Sequence, residues 1–193
     1  MTEEMMSKAL AILVCCCLAA ICQETEVRFL ACYELRLRPG WELPPPEKRV
    51  PERLDLQYDP KGEPLPGGGF PPDHGAEMIL YRPSSQAWRT PVVKPLFTNH
   101  FIRKISLQVH GERVKVAEAI VWEQDIHGQE FKLRNVTVRL QVGDAPLEAV
   151  LIFYPGDPKE TLWINDLAAM LSTIHREPGR SCSSGSSAPE IAH

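Results

Sequence analysis

The first regular pattern along the chain is an alternation of apolar and polar residues in the stretch "EVRFLACYELRL". Its apolar members fall on every second position, at Val27, Phe29, Ala31, Tyr33, Leu35 and Leu37. A period of two places these side chains on one face of an extended chain. The alternation predicts one half-buried β-strand, which Pro39-Gly40 terminates.

A second region of alternation follows residue 100 and predicts consecutive antiparallel hairpins. The outline apolar-His-Gly-polar-polar-apolar occurs twice, around His110-Gly111 and His127-Gly128. Glycine readily adopts a positive φ and histidine tolerates it better than most residues, so both pairs are predicted to form two-residue hairpin turns. The stretch "GDAP", residues 143–146, predicts a third turn.

Two details of this region predict how its strands are arranged. The apolar positions change parity between Leu133 and Val136, which predicts a β-bulge near Arg134-Asn135. The stretch "LEAVLIFY", residues 147–154, is apolar on both faces from Val150 onward. This composition predicts a central strand that is covered on both sides.

The segment after this strand has the signals of a helix. Asp157 is placed to be the N-cap, Pro158 occupies the first helical position, and Glu160 can complete a capping box. One stripe at helical spacing contains Trp163, Leu167, Met170, Leu171 and Ile174. The pattern predicts a helix from about Pro158 to Arg176, with its stripe against the sheet.

Together these elements predict a mainly β (α+β) fold. It would be an antiparallel β-sandwich or curved sheet of about five to seven strands, with one C-terminal helix packed on it. The predicted organisation is a signal peptide or membrane anchor at 1–22, a single β-rich domain at 23–176 and a disordered tail at 177–193.

Residues 39–98 are rich in proline, and this composition predicts an irregular excursion from the β-rich domain. The chain has 18 prolines, and 13 of them lie between Pro39 and Pro95. Since proline offers no amide to a ladder, only short edge strands are predicted here, at 54–58 and 78–81. Stiffened loops lose little entropy on binding, so the aromatic residues of the excursion predict a binding surface. They are Trp41, Phe70, Trp88 and Phe97. The alternative is that both tryptophans belong to the core.

The N-terminal segment predicts export. Residues 9–22, "ALAILVCCCLAAIC", are fourteen uncharged residues that follow Lys8. This length suits the apolar region of a signal peptide and is short for a bilayer span. Cleavage after Cys22 would give a secreted, periplasmic or cell-envelope protein. The alternatives to cleavage are an uncleaved membrane anchor and a lipidated cysteine. In either case the N-terminal segment would be the protein's only predicted contact with a membrane.

Removal of the leader would leave two cysteines, Cys32 and Cys182. In an oxidising compartment they could form one bridge, or they could remain unpaired. Their separation, without any CxxC, excludes a zinc finger or a thioredoxin-type motif. Asn135-Val136-Thr137 is a glycosylation sequon, which has meaning only in a eukaryotic secreted protein.

Motifs for chemistry are missing from the sequence. The six histidines form neither HExxH nor a short HxH, so no metal site and no cofactor are predicted. There is no GxSxG and no phosphate-binding loop, so no catalytic residue is predicted. A net charge of -4 without a basic cluster disfavours nucleic-acid binding.

These observations predict an exported, non-catalytic module that binds another protein. It would be an accessory, assembly or inhibitory protein of the cell envelope or extracellular space. A small-ligand or metal carrier that uses loop histidines is the first alternative. A hydrolase with dispersed catalytic residues is the second.

Overall fold

The computed structural model describes residues 25–58, 75–93, 98–125, 132–180, 182 and 188–192. These residues form two antiparallel sheets with a C-terminal helix, which confirms the predicted mainly β fold. The leader at 1–22, Phe70, Phe97 and the His127-Gly128 pair lie outside the described residues.

The smaller sheet has four strands in the order β10-β2-β1-β11. Its strands are β1 (Glu26–Phe29), β2 (Tyr33–Arg36), β10 (His175–Arg176) and β11 (Glu190–Ile191). Strand β11 pairs with β1 through Val27 and Arg28. The prediction of a disordered tail is therefore wrong for residues 190–191, because their backbone completes the edge of this sheet.

The larger sheet has seven strands in the order β3-β4-β5-β9-β8-β7-β6. Its strands are β3 (Trp41–Glu42), β4 (Arg53–Tyr58), β5 (Ala76–Tyr81), β6 (Asn99–Lys104), β7 (Val114–Asp125), β8 (Lys132–Val142) and β9 (Ala145–Phe153). A short helix α1 (Ser85–Arg89) follows β5, a 3-10 turn occupies Pro46–Lys48, and α2 (Glu160–Thr173) follows β9.

The helix α2 joins the two sheets through one hydrophobic core. It contacts β2 of the small sheet and β9 of the large sheet. The predicted stripe is confirmed, because all of its members are buried: Trp163, Leu167, Met170, Leu171 and Ile174. These side chains form one cluster with the inward residues of both sheets, so burial of apolar surface holds the layers together.

The predicted bounds of this helix are wrong at both ends. Its first residue is Glu160, since the carboxylate of Asp157 accepts the Lys159 N–H in a local turn before the helix begins. Glu160 contacts Arg134 with its carboxylate instead of closing a capping box. At the other end, residues 175–176 leave the helix because they pair with β2.

The predicted first strand is in fact the hairpin β1–β2. Leu30 and Ala31 have positive φ values of 48° and 62°, and the chain reverses there. Phe29 is paired with Tyr33 across a three-residue loop. Because the loop has an odd number of residues, the apolar side chains keep the same parity on both sides of it. Phe29 and Tyr33 therefore share a face, and the apolar–polar alternation of the sequence shows no break at the turn.

The prediction of a two-residue turn at His110-Gly111 is wrong. The chain reverses after this pair, and the glycine is required for a reason other than a positive φ. Strands β6 and β7 are antiparallel neighbours as expected, but residues 105–113 connect them. The reversal follows Gly111, whose carbonyl accepts the Val114 N–H at 3.2 Å. Gly111 does not have a positive φ. A Cβ there would lie 2.9 Å from the Ser172 carbonyl oxygen, so close approach to α2 requires the glycine.

The tight hairpin of this region is the one at Gly143. Val142 is paired with Ala145, so Gly143-Asp144 forms a two-residue loop between β8 and β9. Gly143 has a φ of +61°, as such a loop requires at its first position. The predicted third turn is confirmed.

The predicted bulge near Arg134-Asn135 is wrong. Strand β8 pairs with β9 without interruption from Arg134 to Val142, and the register shift in β7–β8 lies between Val116 and Glu118. Strand β8 is buried on both faces from Asn135 to Leu140. The change of apolar parity therefore marks a strand with two covered faces, one of which carries polar side chains.

Strand β9 is central, between β5 and β8, as predicted. Its inward residues are fully buried, whereas Val150 and Ile152 on the opposite face are partly exposed. Cover on that second face is therefore incomplete. Strands β4 and β5 are also interior strands and not the predicted edge strands, because both six-residue stretches are free of proline and can be hydrogen-bonded on both sides.

Candidate functional site

Strand β6 forms one edge of the seven-stranded sheet. It pairs with β7 on one side, and no strand of the described chain pairs with its other side. The N–H of Asp125 donates to the Thr98 carbonyl at 2.7 Å, which fixes the pairing at the start of the strand. By the alternation of an antiparallel ladder, Asn99 and Phe101 direct their backbone groups to the unpaired edge.

This edge carries two large apolar side chains in contact with solvent. Phe101 is 55% exposed and Ile102 is 43% exposed. Phe101 lies opposite Trp122, whereas Ile102 is the extra residue of a β-bulge and has no cross-strand partner. An edge strand with exposed apolar residues is a template for pairing with another extended chain.

The charged residues of β6 are basic. Lys104 forms an ion pair with Glu118 at 3.4 Å. Arg103 is exposed, and among the described residues no carboxylate lies within ion-pair distance of it. The strand therefore presents an apolar pair followed by an uncompensated guanidinium, which favours a partner segment with a carboxylate.

At the other end of the strand, His100 fixes the carboxylate of Asp125. Its Nε2 lies 2.9 Å from Asp125 Oδ2. This hydrogen bond, with the charge of Lys132 nearby, holds the pKa of Asp125 below its ordinary value. Since both side chains are largely exposed to solvent, the contact serves to position the β6–β7 end more than to stabilise the fold.

Replacement of His100 by alanine should raise the pKa of Asp125 toward its ordinary value, because the largest cause of the depression is lost. A depressed carboxyl pKa contributes stability above the unfolded-state pKa, and that contribution is lost as the pH falls through the folded-state pKa. Titration of the Asp125 carboxyl carbon by NMR measures the shift. An unchanged midpoint in the variant would contradict the hydrogen bond.

Sequence reasoning did not assign Phe101 and Ile102 to a site. The alternation from Phe101 to Val109 favoured a core-facing role for Phe101. The available signal was the hexamer "NHFIRK", in which two adjacent apolar residues stand among polar ones and so break the alternation of a half-buried strand. Exposure of both residues depends on β6 being an edge strand, which the hexamer does not reveal.

Burial corrects the predicted binding role of Trp41. Trp41 is 3% exposed, its ring packs against Tyr58, and its Nε1–H donates to Asp166 Oδ2 at 3.0 Å. Trp41 is therefore a core residue. Trp88 is half-buried on α1, with the Arg139 guanidinium 5.6 Å from its ring centroid. These residues do not form a common accessible surface.

Arg139 is the centre of a buried polar network on the face of the large sheet opposite α2. Its Nε donates to Glu148 Oε2 at 3.0 Å. Its other nitrogens donate to three carbonyls at the end of α1, those of Ala87, Trp88 and Thr90. The network anchors α1 to the sheet, because one guanidinium on β8 binds three carbonyls at the C-terminal end of this helix.

Tyr81 completes this network through Glu148. The Tyr81 hydroxyl donates to Glu148 Oε1. Burial and this hydrogen bond raise the pKa of Tyr81 well above its ordinary range. The hydroxyl therefore stays protonated and acts as a fixed donor, and the arrangement contains no poised nucleophile or base.

The three remaining predicted residues have clear positions. Cys32 and Cys182 lie at disulfide-bonding distance, with their Cα atoms 5.1 Å apart. Asn135 is buried in β8, and its Nδ2, the atom that a glycan would modify, is shielded from solvent and has no partner among the described residues. This burial disfavours glycosylation of the folded chain, which stays a prediction.

A cleft of about 780 Å³ lies between the C-terminal end of α2 and the Gly143-Asp144 turn. The Ser172 hydroxyl at its wall donates to the Ala168 carbonyl and accepts the His110 N–H. The Thr173 hydroxyl donates to the Met170 carbonyl and accepts the Arg36 N–H. Both hydroxyls hold backbone in place, so neither is set up for catalysis.

Within the described ranges, no helix is long and apolar enough to cross a membrane. No protein-family model and no curated protein sequence matches the chain.

Proposed function

We propose that this protein is an exported, non-catalytic module that captures an extended segment of another protein along β6. The observation that carries the proposal is the β6 edge, which no strand of the described residues pairs and on which Phe101 and Ile102 are exposed. Strand addition to such an edge supplies main-chain hydrogen bonds for affinity and side-chain contacts for specificity.

The partner segment is defined by the chemistry of β6. An apolar residue would cover Phe101 on the face that it shares with Trp122. A carboxylate would pair with Arg103 near the end of the strand. The bulge at Ile102 and the basic residues also limit indiscriminate pairing between copies, since two such edges would place like charges together.

Export is supported by two independent features. The first is the apolar leader at 9–22, which precedes the described domain. The second is the Cys32–Cys182 pair, because disulfides persist in oxidising compartments and are rare in the cytosol. The mass of the mature N-terminus tests export: a product that begins near residue 23 is expected, and an intact cytosolic chain would contradict it.

Selection of random peptides on the purified protein tests capture by β6. We expect enrichment of extended peptides that combine apolar residues with a carboxylate, and NMR shifts confined to 99–104 and the adjoining β7. Phe101→Gln should weaken binding of such a peptide at least about tenfold, because exposed aromatic anchors dominate interface energies.

Leu162→Gln is the matched control for this variant. Leu162 is 45% exposed on α2, away from β6, so the same substitution there should leave peptide binding unchanged. Arg103→Glu should reverse the preference for a carboxylate without abolishing binding to neutral peptides. Failure to enrich any peptide, or equal losses for Phe101→Gln and Leu162→Gln, would refute the proposal.

A further inference from the structure

The outward face of the small sheet brings together three side chains that can bind a metal ion. They come from three strands: Glu26 from β1, Glu34 from β2 and His175 from β10. His175 lies directly opposite Glu34 in the β10–β2 pairing. The sequence did not reveal this set, because its members are separated by up to 149 positions and none belongs to a short ligand motif.

The three ligand atoms lie close enough together to approach one ion. One atom from each residue lies within 4.8 Å of the other two. Glu34 Oε2 and His175 Nε2 are 3.2 Å apart. Ligands at about 2.0–2.1 Å from a tetrahedral zinc ion would be separated by about 3.3 Å. Glu26 is partly exposed, so a small rotation of its carboxylate can complete the shell.

The orientation of the His175 ring directs its Nε2 at Glu34. His175 Nδ1 lies 3.2 Å from the Thr173 carbonyl oxygen. A carbonyl only accepts, so Nδ1 carries the hydrogen. In the neutral ring Nε2 is then an acceptor that faces a carboxylate oxygen, and a cation between the two atoms satisfies both. A ring hydrogen bond to a backbone carbonyl is also the usual support of a metal-binding histidine.

Arg28 orients the Glu34 carboxylate without occupying the oxygen that faces His175. Its Nε and Nη2 donate to Glu34 Oε1 at 3.2 and 2.8 Å. The second oxygen, Oε2, remains directed at His175. The competing contact of Glu26 is weak, since Arg36 Nε lies 3.7 Å from Glu26 Oε1 and its side chain is largely exposed.

We propose that Glu26, Glu34 and His175 bind a divalent cation of the zinc class, with water completing the coordination. An imidazole nitrogen with carboxylate oxygens favours zinc or a similar transition ion over magnesium or calcium, which prefer oxygen alone. The ion would join β1, β2 and β10, and so fasten the chain that leaves α2 to the small sheet.

Titration of the full chain with zinc chloride, followed by calorimetry and by NMR of the histidine rings, tests the site. We expect slow-exchange shifts of the His175 ring and a thermal midpoint that rises with zinc but not with magnesium. His175→Ala and Glu26→Gln should each weaken this binding at least about tenfold. Both variants keep the leader cysteines, so any zinc bound there is common to all samples.

His100→Ala is the matched control, because His100 is a similarly exposed histidine in contact with a carboxylate at the far edge of the other sheet. It should bind zinc as the parent chain does. If His175→Ala fails to fold, Glu26→Gln alone decides, since the ion pair that this side chain forms with a described residue, Arg36, is weak. The proposal is overturned if all three variants bind zinc with the same affinity, or if the His175 ring signals do not respond to zinc. Either result would show that His175 and Glu34 form a plain imidazole–carboxylate ion pair.

Discussion

Replacement of both Cys32 and Cys182 by alanine should lower the free energy of unfolding by about 2–5 kcal/mol. The two residues are 150 positions apart, so their bridge closes almost the whole domain into one loop. In the chain-entropy account such a long loop lies at the upper end of the range. Cys32 is also fully buried, and its truncation leaves a small cavity in the core.

Urea unfolding of residues 23–193 measures this effect, since that chain lacks the leader cysteines. Reductant should shift the midpoint of the parent close to that of the double variant and should leave the double variant unchanged. Release of the bridge should also increase hydrogen exchange in β1, because Cys182 tethers the segment that contains β11. A parent midpoint insensitive to reductant would contradict the bridge.

Replacement of Glu148 by alanine should lower the free energy of unfolding by about 3–5 kcal/mol. Arg139 is 8% exposed, and Glu148 is its carboxylate partner. Removal of that partner leaves a buried guanidinium without a counter-charge and leaves the Tyr81 hydroxyl without its acceptor. The cost reflects the stranded charge and not the net strength of the pair.

A double replacement separates these contributions. Arg139→Met with Glu148→Leu removes both charges, so the stranded-charge penalty disappears. The Ala87 and Thr90 carbonyls still lose the Arg139 donor, which should keep the double variant less stable than the parent but more stable than Glu148→Ala. Asp55→Ala, which breaks the more exposed Arg53–Asp55 pair, is the control and should cost about 0–1 kcal/mol. A similar small cost for Glu148→Ala would contradict burial of the network.

The β6 edge and the candidate metal site lie on different sheets, so the two proposals can be tested independently. Capture of a peptide depends on Phe101 and Arg103, whereas zinc binding depends on Glu26, Glu34 and His175. A variant at either location should leave the other activity unchanged, because no residue is shared between them.

The helix and the hairpin β1–β2 show how far local pattern extends. The stripe from Trp163 to Ile174 was predicted correctly because helical spacing alone decides which side chains share a face. The reversal at Leu30-Ala31 was missed because an odd loop preserves the parity of the apolar positions. Positive φ values at leucine and alanine are uncommon, and only the surrounding core can impose them.

The sequence by itself determined the mainly β class, the C-terminal helix and the Gly143-Asp144 turn, because each depends on neighbouring residues and a fixed period. Only the tertiary structure decided which of the described strands are interior, that β6 is an edge strand among them, and that Trp41 is core. It also decided the contact of Arg139 with the end of α1 and the pairing of His175 with Glu34. These features depend on strand order, which joins residues far apart in the chain and leaves no periodic trace in the sequence.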